Sequence, residues 1–180
     1  MADAFERTVA FLRVSGVTVQ PAPITPLLAT MPRENRIVEY YEGARVHEAR
    51  YREFGDRLND IAEMVREGMR IPPPRYDAAL ALIAEARNAM AAHLAATPLI
   101  LTPAATGYAP AGLGFTGDAR LNSPWTALGT PALTIPMPVG RSELPLGLQI
   151  TAAWGQEDAL LRAGATIERL LYPPASRGDA

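Results

Sequence analysis

The residues best able to do chemistry lie in a stretch that is almost free of charge. Between Asn88 and Gly140 the only two formally charged residues are Asp118 and Arg120. Charged side chains normally face water, so this stretch is not typical of solvated surface. Seven prolines also interrupt it, and no run of about 20 helix-compatible apolar residues is left for a membrane span. The pattern predicts apolar loops and short strands packed inside a protein, where two remaining charges are either paired or functional.

Nucleophilic catalysis in this stretch would have to use Ser123, the only serine that it contains. A Ser123–His93–Asp118 arrangement is compatible with the sequence, because the members of a triad meet in space and not in chain order. The structural alternative is that Asn122 or Ser123 caps a short helix, that Asp118 pairs with Arg120 or caps a loop, and that His93 is a satisfied structural residue. Both alternatives stay open on the sequence alone.

Composition excludes several other kinds of chemistry. The chain has no cysteine, so a thiol nucleophile, disulfides and cysteine-ligated metals are excluded. All 17 basic residues are arginine, which excludes Schiff-base, P-loop and lysine-base chemistry from this chain. A net charge of −2 carries no electrostatic footprint for nucleic acid or an anionic membrane. The first residues lack the apolar core of a signal peptide, which predicts a cytoplasmic protein.

The elements that must position these residues follow from periodicity and from breaker residues. The 180 residues are enough for one domain or one large lobe. Helices are predicted at 3–15 (capped by Asp3), 34–69, 76–95, 124–128 and 157–171, and strands at 17–21, 98–103, 132–136 and 146–152. Leu80 and Leu161 are assigned to buried helix faces, and the last two strands to a hairpin. The predicted class is α/β, with a mixed β-sheet covered by helices.

An ordered series of short motifs resembles the C-terminal half of the amidase signature family of amide hydrolases. The motifs are Leu101-Thr102-Pro103, Ala109-Pro110, Thr116-Gly117-Asp118, Asn122-Ser123-Pro124-Trp125, Gly129-Thr130-Pro131-Ala132, Leu144-Pro145-Leu146-Gly147-Leu148-Gln149 and Asp158-Ala159-Leu160-Leu161. Each motif alone is weak, and their order and spacing together are strong. The resemblance divides the chain into a helical part (1–75), an amidase C-terminal segment with pocket loops (76–172) and a flexible tail (173–180).

The resemblance also implies what the chain lacks. The family's nucleophilic serine, bridging serine and lysine lie in its N-terminal half, and none of these three positions exists here. A serine nucleophile needs an adjacent base, so a partial set would not suffice. We therefore assign no catalytic residue, no cofactor and no metal to this chain.

The pocket residues remain as candidates. The resemblance implies that Asp118 faces the substrate and that Asn122 bonds the substrate or orients the serine loop of the missing half. Trp125 and Tyr108 are candidates for the wall of an apolar acyl pocket, although core packing for Trp125 and an exposed loop for Tyr108 are the structural alternatives. The expected partners are a small-molecule amide and either the N-terminal catalytic part of an amidase or a second copy of this chain. Neither nucleic acid nor membrane is expected as a partner.

Three functional hypotheses follow. In the first, the chain is the C-terminal lobe of a carboxamide hydrolase and is inactive alone. In the second, it is a non-catalytic remnant or an interaction subunit with raw sheet edges and a large apolar patch. In the third, which we rank last, it is an independent enzyme that uses Ser123 or Asp118.

Overall fold

The computed structural model describes residues 1–140 and 143–173. In this part of the chain, helices α1–α6 span Ala2–Val14, Thr25–Phe54, Asp60–Gly68, Pro73–Ala96, Ser123–Leu128 and Glu157–Leu171. Strands β1–β3 span Leu99–Pro103, Ala132–Pro136 and Gly147–Ala152, and short 3₁₀ turns occupy Gly55–Leu58 and Ala119–Leu121. Among the described residues, no helix is both long enough and apolar enough to cross a membrane.

The three strands form one antiparallel sheet with β3 in the centre, in the order β1-β3-β2. Ile150 of β3 lies opposite Leu101 on one side and Leu133 on the other. Three of the four predicted strands, at 98–103, 132–136 and 146–152, and the hairpin of β2 with β3 are confirmed, although Arg141 and Ser142 of its turn lie outside the described residues. The outer edges of β1 and β2 have no strand partner in the described part of the chain.

Two clusters of buried side chains lie on opposite faces of the sheet. Leu148 and Ile150 pack with Leu12 of α1 and with Leu160 and Ile167 of α6. The second cluster combines side chains of α2, α4, α5 and β1; its members include Met31, Ile83, Met90, Ile100 and Trp125. Because adjacent strand residues point to opposite faces, Ile100 faces the second cluster, whereas Leu99 and Leu101 contact the first. The α/β class and the helix-covered sheet are confirmed, whereas both strand pairs of the described sheet are antiparallel and not mixed as predicted.

The sequence predicted one continuous helical region at 34–69, and this prediction is wrong because the region contains two separate helices. The helix begins at Thr25, and the chain reverses between α2 and α3 at Gly55, which has a φ of 56°. Helix α3 then packs so closely on α2 that a Cβ added at Gly68 would lie 1.9 Å from the Tyr40 carbonyl oxygen. The apolar three- and four-residue spacing continues through both helices, so periodicity could not locate the turn.

Other elements differ from prediction in local detail. Residues 17–21 form no strand and have no partner in the sheet of the described residues, so the strand predicted there is not observed. Helix α1 is capped by Met1 without a side-chain hydrogen bond, and not by Asp3. Leu80 and Leu161 are 41% and 58% exposed, so their assignment to buried faces is wrong. The bounds predicted for α6 are confirmed.

The predicted division of the chain is not decided by these elements. Helix α2, in the 1–75 part, packs against α4 and α5 of the 76–172 part. The proposed tail at 173–180 lies, apart from Pro173, outside the described residues. The division therefore stays a prediction.

Candidate functional site

The predicted site residues lie on or beside one connection, residues 104–122, which joins β1 to α5 and is called the pocket loop below. Much of this loop is exposed: Leu113 is 102% exposed, Phe115 61% and Tyr108 46%. The expectation that this low-charge stretch is packed inside the protein is therefore wrong for the pocket loop of this chain. The composition indicates that these apolar side chains are to be buried, but it does not show whether this chain or another one buries them.

Asp118 and Arg120 pair with each other. The Asp118 carboxylate accepts a hydrogen bond from the Arg120 Nε–H at 2.6 Å and from the Arg120 backbone N–H at 2.9 Å. The guanidinium bond and then the backbone bond hold the pKa of Asp118 below its ordinary value. The carboxylate also caps the short turn Ala119–Leu121. Of the alternatives that the sequence left open, pairing and loop capping are both observed, and the carboxylate remains ionised.

Asn122 and Ser123 begin helix α5 without capping it through a side chain. The Asn122 carbonyl oxygen accepts from the Trp125 backbone N–H at 3.1 Å. The backbone of Asn122 has helical angles, φ −100° and ψ −38°, whereas a capping side chain requires an extended backbone at that position. The prediction that Asn122 or Ser123 caps the helix through its side chain is therefore wrong. The Asn122 side chain is exposed and makes no capping hydrogen bond.

Trp125 supports the pocket loop from the core. Its side chain is 3% exposed and packs in the second core cluster with side chains such as Met90 and Ile100. Of the two alternatives for this residue, core packing is what the chain displays. Its indole lies one helical turn from Asn122, so it anchors the helix that carries the end of the pocket loop.

Tyr108 connects the pocket loop to the turn of the β2–β3 hairpin. Its hydroxyl donates to Glu143 Oε1 at 3.0 Å, and the Gly140 backbone N–H donates to Glu143 Oε2 at 2.6 Å. The bond from Gly140, and after it the bond from Tyr108, lowers the pKa of Glu143. The bond between Tyr108 and Glu143 also raises the pKa of Tyr108. Sequence reasoning missed Glu143 as a positioning residue. Its only signal was the Gly140-Arg141-Ser142-Glu143 turn.

The triad alternative finds no support in the hydrogen bonding of the described residues. Asp118 is engaged by Arg120, and no hydrogen bond joins Ser123 to His93. The Nε2 atom of His93 is buried and has no hydrogen-bond partner in the part of the chain that is described. Within residues 1–140 and 143–173 no group of three or more metal-ligating side chains occurs.

No protein-family model matches the chain. Over 48 residues it is 40% identical to the 6-aminohexanoate-cyclic-dimer hydrolases of Pseudomonas sp. (strain NK87) and Paenarthrobacter ureafaciens, which is 27% of this chain and 10% of each relative. Among solved structures, a crystallised amidase superimposes with a TM-score of 0.84 at 24% identity, over 94% of this chain and 42% of the amidase. A 6-aminohexanoate cyclic dimer hydrolase bound to substrate gives a TM-score of 0.73 at 22% identity, over 95% and 41%.

These comparisons define the class of the protein by its fold. A bacterial aryl acylamidase of the amidase signature family also superimposes, with a TM-score of 0.69 at 15% identity over 93% of this chain and 39% of its own. The chain has the amidase signature fold, as its motifs predicted. It spans less than half of each of these solved structures and about a tenth of the curated relatives it matches. Its fold therefore matches a part of these structures, consistent with their C-terminal part.

Proposed function

We propose that this chain is the C-terminal lobe of an amidase. In that reading it supplies part of the substrate pocket and the structural support for a catalytic part that hydrolyses a carboxamide to an acid and ammonia or an amine through a serine acyl-enzyme. The observation that carries the proposal is the superposition of 94% of the chain on 42% of an amidase. The proposal places the protein in the cytoplasm.

The exposed pocket loop supports this reading. The pocket loop exposes Leu113 and Phe115 to water. Covering these side chains with another surface would be favourable, because it removes apolar area from water. The hydrogen bond from Tyr108 to Glu143 ties the loop to the β2–β3 hairpin, and the bond between Arg120 and Asp118 stabilises the turn at its other end. The loop is thus positioned by this chain and is left open on its far side.

Asp118, Asn122 and Tyr108 have distinct proposed roles in the pocket. The ordinary pKa of Asp118, 3.8, already leaves it ionised near neutral pH, and Arg120 lowers that pKa further, so it would accept a hydrogen bond from a substrate amide N–H and would not act as an acid. The exposed Asn122 amide can donate to a substrate carbonyl or to the serine loop of the catalytic part. The Tyr108 ring would form an apolar wall, and the buried Trp125 would hold the helix beneath.

The chain alone is proposed to be inactive. Serine chemistry needs a base within hydrogen-bond reach of the hydroxyl. The chain has no lysine, and no histidine or carboxylate forms a hydrogen bond with Ser123 among the described residues. Substitution Ser123→Ala is therefore expected to leave any assembled activity intact.

A remnant or an interaction subunit is the second candidate. It is favoured by the same exposed apolar loop and by the two unpaired sheet edges of the described chain. This candidate predicts self-association of the purified chain, without any release of ammonia in the presence of a catalytic part.

The test is co-expression of the full chain with the part of the superimposed amidase that it does not cover. We expect no ammonia release from aliphatic or aromatic carboxamides by the chain alone and measurable release by the co-purified complex. Asp118→Asn should lower kcat/KM of the complex, and Ser123→Ala should not. A complex that forms but releases no ammonia from any amide would refute the proposed function. Activity of the chain alone that Ser123→Ala abolishes would also refute it, in favour of an independent enzyme.

A further inference from the structure

A cavity of about 910 Å³ lies beside the outer edge of β1. It is lined by β1, by residues 17–25 and by the C-terminal end of α4 with His93. We call this cavity the strand slot. It is separate from the pocket loop, because none of residues 104–122 lines it.

The outer edge of β1 presents unpaired backbone groups to the slot. The Ala104 N–H donates to the Gly147 carbonyl oxygen at 2.9 Å, which sets the phase of the β1–β3 ladder. Hydrogen-bonded pairs alternate along an antiparallel ladder, so Ile100 and Thr102 bond to β3 while Leu99 and Leu101 direct their N–H and C=O groups away from it. No hydrogen bond of the described residues reaches the backbone N–H of Leu99 or Leu101.

Residues 17–20 line the same cavity as β1 and contact the same side of the core. Val17 and Val19 contact the core cluster that Leu99 and Leu101 also contact. Alternate residues of both segments therefore pack on one face, as in neighbouring strands of a sheet. The segment was predicted as a strand from its sequence, yet the only hydrogen bond to its centre is from the Arg13 Nε–H to the Val19 carbonyl, at 3.0 Å.

The size of the slot fits one strand. A five-residue strand is about 17 Å long, about 4.8 Å wide and about 10 Å deep, hence about 800 Å³. This estimate is close to the cavity volume. His93 also lines the slot, and its Nε2 atom is buried without a hydrogen-bond partner among the described residues.

We propose that the strand slot receives one β-strand of the catalytic part, which pairs with β1 on one side and with residues 17–20 on the other. This completes a five-stranded sheet from the three strands, the segment 17–20 and the inserted strand. The occupant is an extended segment without proline whose alternate apolar side chains join the first core cluster. The proposal rests on the proposed function, because more than half of the superimposed amidase lies outside this chain.

The test uses amide hydrogen exchange of the full chain, alone and in the co-expressed complex described above. The N–H groups of Leu99 and Leu101 should exchange rapidly in the chain alone and at least about 100-fold more slowly in the complex. The N–H groups of Ala132 and Thr134 are the matched control. They point away from β3 at the opposite sheet edge and should show no comparable slowing.

A proline scan gives the second measurement. Leu101→Pro removes an N–H that the isolated chain does not use, so the chain should fold normally, as judged by circular dichroism, and bind the catalytic part about 10-fold more weakly or worse. Thr134→Pro removes the equivalent unused N–H at the edge of β2 and should change the affinity by less than about twofold. If Leu101→Pro fails to fold, the exchange measurement on the unmodified chain decides alone.

The outcomes separate this proposal from the proposed function. A complex that releases ammonia while Leu99 and Leu101 still exchange as in the free chain overturns the strand proposal only. A complex that protects both amides but hydrolyses no amide overturns the proposed function only. Absence of any complex overturns both, because the named occupant then does not enter the slot.

Discussion

Gly147 should be the most sensitive glycine of the sheet. It lies at the start of β3, within the Leu-Pro-Leu-Gly-Leu-Gln motif, between the two outer strands. A Cβ added here would lie 2.6 Å from Thr134 Cγ2 and 2.9 Å from Ala104 Cβ. The Thr134 methyl group can rotate away because that side chain is exposed. The Ala104 Cβ cannot, since it is fixed to the backbone whose N–H donates to Gly147.

The substitution Gly147→Ala should therefore push the start of the pocket loop away from β3. Overpacking of this kind costs about 1–3 kcal/mol, and replacement of a strand glycine by alanine recovers about 0.5–1 kcal/mol. The expected net loss of unfolding free energy is about 1–2 kcal/mol. For a chain of this size the corresponding decrease in Tm is about 2–8 °C.

The assay is urea and thermal denaturation followed by circular dichroism. Gly107→Ala is the matched control, because a Cβ there meets no atom within 4 Å, and it should be neutral or slightly stabilising. The second substitution Ala104→Gly in the Gly147→Ala chain removes the fixed contact and should restore about 1 kcal/mol in a double-mutant cycle. Equal stability of Gly147→Ala and Gly107→Ala, or a cycle with no coupling, would refute this reasoning.

Three ion pairs yield further predictions. The Arg75 Nη2–H donates at 2.6 Å to Glu34, which is 4% exposed, so Arg75→Met should lower the unfolding free energy by about 3 kcal/mol. Arg52→Met removes an arginine from an exposed pair and should cost less than about 1 kcal/mol in the same denaturation assay; equal losses would contradict the burial argument. Arg120→Leu should raise the pKa of Asp118 toward its ordinary value of 3.8, as measured by carboxyl NMR titration. Because the pKa of Asp118 is lowered in the folded chain, its pairing stabilises above pH 3.8 and is lost as the pH falls through the lower folded value; an unchanged titration would contradict the pairing.

Much of the fold could be predicted from the sequence because the signals were local. Helix α6 has an apolar spacing that needs no knowledge of its neighbours. Turn residues bracket β2 and β3, and the sheet pairs them as expected. The order of the proline- and glycine-containing motifs predicted the amidase signature fold.

The break between α2 and α3 could not be predicted in the same way. Gly55 is one of several glycines in the chain, and nothing adjacent in sequence marks it as the point of reversal. The reversal is stabilised by the close approach of Gly68 to Tyr40, which lie far apart in sequence. Such a contact depends on how two helices pack and not on the pattern of either one.

By itself, the sequence determined which chemistry this chain cannot perform and which residues are candidates for its site. The absence of lysine and cysteine, and the presence of Asp118, Asn122, Trp125 and Tyr108, are properties of composition and order. Only the tertiary structure decided that Trp125 is buried while Tyr108 is exposed, and that the edge of β1 faces an open slot. Burial and strand pairing are contacts between residues distant in the chain, so they are decided when the elements pack together and not by local preference.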